Sequence, residues 1–245
     1  NNNKLLPPLD IFLGKGIYLF PNYRNWPLNN SKSITYIHDA SFALYPETVQ
    51  PRNLKYLKNN INLWVKRADL IVTLTQASKA DIATSLAIDS KKIHVVGCGV
   101  DGSVFKKTPK AAVEATKRKY GIHTPKYLLF VGNLEPRKNL SRLIKAYSGL
   151  DESLLEQYPL VVIGAGGWLN DGTNALIQEF AHNGVKIIKP SQFVLDEDLP
   201  AIYSGASAYI HPAIYEGFGI PPIEAMSCGT VTIVSDIPVL NEVLG

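Results

Sequence analysis

Five short apolar runs in the second half of the chain constrain its fold more than any other feature. "KYLLFVG" (126–132), "PLVVIGAGG" (159–167), "VKIIKP" (185–190), "SAYIHP" (207–212) and "TVTIVSD" (230–236) are too short for helices and rich in β-branched and aromatic residues. "KYLLFVG" is continuous rather than alternating and ends in Gly, typical of a strand covered on both faces as in a parallel sheet, and the second run repeats that pattern. Parallel neighbours need crossover connections, and the segments between the runs supply helices. "LSRLIKAYSGL" puts Leu140, Leu143, Ile144 and Tyr147 on one helical face, and "ALIQEFAHNG" closes at Asn183-Gly184. "DEDLPAIYSGA" gives a short helix, and "PPIEAMSCG" starts at its prolines and stops at Gly229. The second half is predicted to be an open, mostly parallel α/β sheet.

The first half repeats the theme less completely. "SITYIHD" (33–39), "DLIVTLT" (69–75) and "KIHVVGCGV" (92–100) read as strands. "PRNLKYLKNNINLWVKRA" carries Leu54, Leu57, Ile61 and Val65 on one face, and "QASKADIATSLAI" forms a helix capped near Ser78. Residues 101–125 are charged and read as a linker-bearing junction, which divides the chain into domains at 1–115 and 116–245. Two such units in tandem predict a cleft between them, with ligands held outside the carboxyl ends of the strands.

Charge separates the halves. Residues 1–124 hold 18 Lys/Arg and 8 Asp/Glu, a net +10, whereas residues 125–245 hold 7 and 13, a net −6. The basic half suits anionic lipid or a polyanionic substrate, so peripheral membrane contact is compatible with it. A solvated lysine-rich face explains the same charge. No apolar run approaches the roughly 18–20 residues of a membrane span. Cys98 and Cys228 are far apart and form no ligand-spaced cluster, and no secretory signal opens the chain, so a cytoplasmic location is expected.

The residues with chemistry follow strands. In "YEGFGIPPIEAMSCGT" (215–230), Glu216 comes directly after a strand, and Gly217 and Gly219 allow close backbone approach. Pro221 and Pro222 start a helix whose amino end favours an anion such as phosphate. Glu224, expected in the first helical turn, can accept hydrogen bonds from vicinal sugar hydroxyls. A loop glutamate followed by an acidic helix start is the competing structural reading. In "GNLEPRKN" (132–139), Arg137 can fork onto phosphate oxygens and Lys138 adds a point charge. Asp196-Glu197-Asp198 has the spacing of a metal-binding acidic motif, but acidic helix capping explains it better, and no metal is predicted. His94 and His211 read as structural, and the "GAGG" of 164–167 as a turn.

"FVGNLEPRKNLSRLIKAY", "GAGGW" and "HPAIYEGFGIPPIEAMSCGTVTIVSD" resemble family 4 glycosyltransferases of the GT-B architecture, with Glu216 and Glu224 matching the family's E-x7-E motif. The resemblance extends over most of residues 33–245. It implies an α/β GT-B fold, two Rossmann-like domains facing across a cleft. The amino-terminal domain would be acceptor-side and the carboxyl-terminal one donor-binding. Its activity would be transfer of a sugar, of mannosyl type, from a nucleoside-diphosphate sugar to a glycan or lipid-linked acceptor. Transfer would proceed with retention and without metal or cofactor.

By the same resemblance Arg137 and Lys138 bind the donor diphosphate, and Gly132 lies beside them. Glu216 lies near the transferred sugar, with Gly217, Phe218 and Gly219 presenting amides. Glu224 holds the ribose, and Phe193 and Val194 belong to the segment that contacts the base. His38, at the end of "TYIHD", reaches the reacting sugar from the other domain and is a catalytic candidate together with Glu216, Arg137 and Lys138. A family member carries further elements at both ends, so both domains are expected to be incomplete and the chain truncated. This keeps a nucleotide-sugar-binding but inactive fragment or subunit, completed by a partner chain, as the alternative. A sugar-nucleotide epimerase is a further one. No nucleic-acid partner is expected.

Overall fold

The computed structural model describes residues 6–164 and 170–245. Among the described residues, nine strands form two sheets in which every pairing is parallel. The first sheet contains β1 (Ile17–Phe20), β2 (Lys32–Tyr36), β3 (Leu70–Thr73) and β4 (Ile93–Val95), side by side in chain order. The second contains β5 (Leu128–Val131), β6 (Leu160–Ile163), β7 (Ile187–Ile188), β8 (Ala208–His211) and β9 (Thr232–Val234), in the order β7-β6-β5-β8-β9. From β5 the chain winds outward to β7, then returns to place β8 on the other side of β5. The strand order therefore reverses between β5 and β8, the kind of switch point at which open α/β sheets form a crevice.

The helices are α1 (Asp10–Leu13), α2 (Ser41–Leu44), α3 (Pro51–Arg67), α4 (Gln76–Leu86), α5 (Lys110–Lys119) and α6 (Leu140–Ser148), followed by α7 (Glu152–Gln157), α8 (Asn170–His182), α9 (Leu199–Gly205), α10 (Ile220–Ser227) and α11 (Pro238–Leu244). Side-chain alternation along the strands divides the second sheet's packing in two. Leu129, Val131, Val161, Ile163 and Tyr209 join one cluster with α9 residues, whereas Phe130, Leu160 and Val162 join another with α6 and α8. All four residues of β6 are buried, which accounts for its unbroken apolar run. In the first half, Ile61, Trp64 and Val65 of α3 pack with Ile37, Ile71, Ile82 and Ile93, and Leu54 and Leu57 sit against them.

Several local expectations change. Residues 101–125 contain the ten-residue helix α5, which packs on α9. Its only large apolar side chain is Val113, which is buried, so its helical period is nearly invisible. The cap of α4 is Thr75 rather than Ser78: Thr75 has the extended backbone a cap needs, and its hydroxyl accepts from the Ser78 N–H. The acidic triplet does not cap α9. Asp198 makes no capping bond, because its carboxylate takes the Lys119 ammonium at 2.7 Å and the Tyr120 hydroxyl at 2.6 Å. Of the glycine-rich turn, residues 165–167 lie outside the described residues.

Candidate active site

The crevice between β5 and β8 gathers the charged residues. Arg137 and Lys138 lie in a single 3-10 turn after β5, and Glu216 lies in the loop after β8. The two loops are tied together by the Ile214 N–H on the Arg137 carbonyl, 3.0 Å, and by the Asn139 side-chain amide on the Pro212 carbonyl, 3.0 Å. Glu216 is the hub, 4 % exposed. Its Oε2 receives Arg137 Nη1 at 2.8 Å, and its Oε1 receives Lys138 Nζ at 2.5 Å and His211 Nε2 at 2.9 Å. Arg137 Nη1 also donates to the Tyr215 carbonyl at 2.9 Å. Behind the histidine, Tyr209 Oη lies 2.8 Å from Nδ1.

Burial works against the charge on Glu216, but the His211 hydrogen bond and the Lys138 and Arg137 charges outweigh it and hold the carboxyl well below its usual range. Burial also favours the neutral form of His211, and the two neighbouring cations add to that, so its pKa lies below the ordinary value despite Glu216. For Arg137 burial opposes the charge, yet Glu216, Asp39 and Glu135 more than compensate, so the guanidinium stays charged. Arg137, Lys138, Glu216 and a neutral imidazole sum to one positive charge, which the Glu135 and Asp39 carboxylates beside Arg137 offset in turn.

Glu224 is the fifth residue of α10, one residue further in than the sequence predicted and so just past the first turn, because the helix already begins at Ile220. It is half-buried and accepts the Tyr203 hydroxyl at 2.9 Å. Burial raises its pKa, the Tyr203 bond lowers it, and the nearby Asp196 charge raises it again, for a net upward shift. Phe193 and Val194 share a small cleft with Ile163 and Lys189, but Phe193 is exposed while Val194 points into the core. Gly132 continues β5, its N–H bound to the Ile163 carbonyl at 3.0 Å.

The first sheet closes on this cluster. His38 and Asp39 follow β2, and the backbone at Gly217 comes so near that a Cβ there would stand 2.9 Å from the His38 carbonyl oxygen. The glycine that sequence reading assigned to a ligand is used in this approach. Its carbonyl accepts the hydroxyls of Thr75, 3.3 Å, and Ser78, 3.1 Å. Gly219, at φ 95°, turns the chain into α10, a conformation open mainly to glycine. Phe218 lies over Gly97, beyond β4. Tyr215 donates to Asp81 Oδ2 at 2.9 Å and accepts the Ala40 N–H at 3.1 Å, and Glu242 of α11 accepts the Gln76 and Ala77 N–H groups at 2.7 and 2.9 Å. Beside Glu216 a cavity of about 480 Å³ opens between Tyr45, Ala77, Asp81, Ile214 and Val239.

The structure thus brings Arg137, Lys138 and Glu216 into contact, sets His38 and Asp39 across from them, and holds Glu224 on α10 against Tyr203. It places His211, which reads as structural in sequence, at the centre of the site. Tyr203, Tyr209 and Tyr215 were also missed. Their only sequence signal is that a buried acid must be surrounded by donors. Among the described residues no group of three or more His, Cys, Asp or Glu is arranged to hold a metal ion, and no helix is long and apolar enough to cross a membrane.

A family model described as glycosyl transferases group 1 matches residues 112–245. The O-antigen chain mannosyltransferase B of Escherichia coli is 31 % identical over 229 residues, 94 % of this chain and 59 % of its own length. The O-antigen chain mannosyltransferase RfbU of Salmonella typhimurium is 31 % identical over 220 residues, 89 % of this chain and 56 % of that one. The chain therefore spans somewhat more than half the length of these relatives. Among solved structures, Anabaena Alr3699/HepE in complex with UDP and glucose superposes with a TM-score of 0.70 at 21 % identity, covering 86 % of this chain and 55 % of that one. A glycosyltransferase from Rickettsia africae gives 0.63 at 20 % identity, covering 86 % and 53 %.

Proposed function

The chain belongs to the group 1 glycosyl transferases and has their GT-B fold, and on that premise we propose that it transfers a mannosyl unit from a nucleoside-diphosphate sugar to a glycan or lipid-linked acceptor, with retention and without a metal. The observation that carries this reading is the Arg137–Lys138–Glu216 cluster at the switch point of the second sheet, closed over by His38 and Asp39. Its two adjacent cations suit a diphosphate, which would share them with Glu216. As the bond between the sugar's anomeric carbon and the phosphate oxygen breaks, negative charge grows on that oxygen. Arg137 and Lys138 stabilise it where it develops, which lowers the barrier rather than merely tightening ground-state binding. The acceptor oxygen attacks from the same face, and its proton passes to the departing diphosphate. Glu224 takes the ribose hydroxyls with its charged oxygens while Tyr203 steadies it from behind.

Calorimetric titration of the chain with UDP, GDP and ADP in the presence of a chelator tests the donor site first. One nucleotide is expected to bind in the micromolar range, and that affinity is expected to be lost in Arg137→Ala. The matching sugar nucleotide, supplied with an acceptor glycan, should then give a product of retained anomeric configuration by NMR. An inverted product, or transfer only with a divalent cation, would overturn the mechanism.

A further inference from the structure

Glu216 has three side-chain donors, and one of them has nothing to do with phosphate. His211 is wholly buried at the end of β8, with no route to a ligand of its own. Its two ring nitrogens are both engaged, Nδ1 with Tyr209 Oη at 2.8 Å and Nε2 with Glu216 Oε1 at 2.9 Å. These contacts admit one economical proton arrangement. Glu216 is ionised and accepts only, so Nε2 carries the proton. If Nδ1 carried one too, a buried imidazolium would stand beside Arg137 and Lys138, and Tyr209 could donate only to the Val131 carbonyl at 3.3 Å. With Nδ1 unprotonated, Tyr209 O–H donates to Nδ1 and Nε2–H donates to Glu216. Every proton in the chain then points toward the carboxylate.

We propose that Tyr209 and His211 are positioning residues, a buried relay that fixes the tautomer of His211 and through it the orientation of Glu216, so that Arg137 and Lys138 are aimed at the donor before it arrives. The ligand-facing part of this statement rests on the diphosphate reading given above. The relay is held rigidly. The Tyr209 ring meets Tyr203 edge-on at 5.6 Å, and Tyr203 in turn grips Glu224, so one buried aromatic column supports both acids of the motif from behind. Preorganisation of this kind matters because cations that must reorient during the reaction stabilise the developing charge less well.

Among the described residues, the groups that set the charge of His211 come from several elements. Glu216 faces it from the same loop region, and Arg137 and Lys138 face it from the loop after β5, with Glu135 on the far side of Arg137 at 3.7 Å. Tyr209 lies behind it, Glu224 acts on Tyr209 from α10, and Asp39 reaches Arg137 from the first sheet. Removing the Tyr209 hydroxyl deletes the bond to the neutral form of the imidazole and so favours its protonation, which adds one positive charge to the cluster.

The test is Tyr209→Phe, with His211→Gln and His211→Leu as the second pair. Nitrogen-15 NMR of histidine side chains in the unmodified chain is expected to show His211 as the neutral Nε2–H tautomer throughout pH 6–8. In Tyr209→Phe the same ring should begin to titrate within that range. Nucleoside-diphosphate affinity in the variant, taken as a ratio to the unmodified chain at each pH so that the ligand's own phosphate titration cancels, should then strengthen several-fold toward pH 6. A residue with a merely structural role would lower the melting temperature without creating that step. His211→Gln keeps an N–H for Glu216 and should retain turnover within about tenfold, while His211→Leu should lose roughly 100-fold, the scale of removing one preorganised donor. An Nδ1–H or doubly protonated His211 in the unmodified chain at pH 7, or equal loss in the glutamine and leucine variants, overturns the relay. Absence of nucleotide binding with the Nε2–H tautomer and its Tyr209 dependence intact would instead sink the donor-site reading and leave the relay standing.

Discussion

The two acids of the motif, eight residues apart, show how tertiary surroundings give one side chain two characters. Glu216 is 4 % exposed and saturated by Arg137, Lys138 and His211, and its carboxyl is pushed down despite burial. Glu224 is half-buried and has a neutral tyrosine hydroxyl for company, and burial pushes its carboxyl up. The first is a structural keystone whose charge is already answered within the protein. The second keeps a carboxylate whose charge is largely unanswered and therefore available to a ligand's hydroxyls. A ligand site benefits from both, because fixed cations supply preorganisation and an underused acceptor supplies affinity.

Matched amide substitutions are the strongest way to break this contrast. Glu216→Gln removes the charge that neutralises two largely buried cations and is expected to lower stability by about 3 kcal/mol, as breaking a buried ion pair does, and to abolish measurable transfer. Thermal unfolding and a sugar-transfer assay check it. Equal melting temperatures for this variant and Glu224→Gln would dissolve the distinction. Gly217→Ala should come next. Its Cβ would press on the His38 carbonyl, so the two sheets must separate slightly, and a displacement of that size costs roughly 10- to 100-fold in turnover while nucleotide affinity changes little.

Smaller effects sharpen the comparison. Glu224→Gln still accepts the Tyr203 proton, so stability should change by less than about 1 kcal/mol. Nucleotide affinity, read by calorimetry, should fall about tenfold because charge-assisted hydrogen bonds to the ribose become neutral ones. The smallest signal is in the pH dependence of the melting temperature. Glu216 is depressed in the folded state, so its contribution is present above its ordinary value of 4.5 and disappears as pH falls through the lower folded value. Glu224 is raised, so folding binds its proton more tightly, and its contribution declines as pH rises from 4.5 through the raised value. Glu216→Gln should flatten the first limb and Glu224→Gln the second. The opposite assignment would reverse the comparison.

Much of the framework was legible because it depends on local periodicity. The face of Leu140, Leu143, Ile144 and Tyr147 is buried as its spacing required, and β6 is buried along its whole length as an unbroken apolar run implies. Elements with little apolar contrast escaped notice. β1 leaves Ile17 and Leu19 exposed at a sheet edge, and α5 buries one large apolar side chain, so neither has a period to read. Arg137, Lys138, Glu216 and Glu224 could be chosen from strand-end position, residue type and family resemblance. The partnership between the first three could not, because Arg137 and Glu216 are 79 residues apart in sequence and meet only where the strand order reverses.

By itself, then, the sequence determined the alternation of strands and helices, the parallel sense of the sheets, and the candidate residues at strand ends. These follow from hydrophobic pattern and backbone preference, which act over a few residues. Only the tertiary structure decided that His211 belongs to the site, that Gly217 serves the approach of the two sheets, and that Glu216 and Glu224 titrate in opposite directions. Burial and Coulomb interaction depend on distances in space, and no spacing along the chain encodes them.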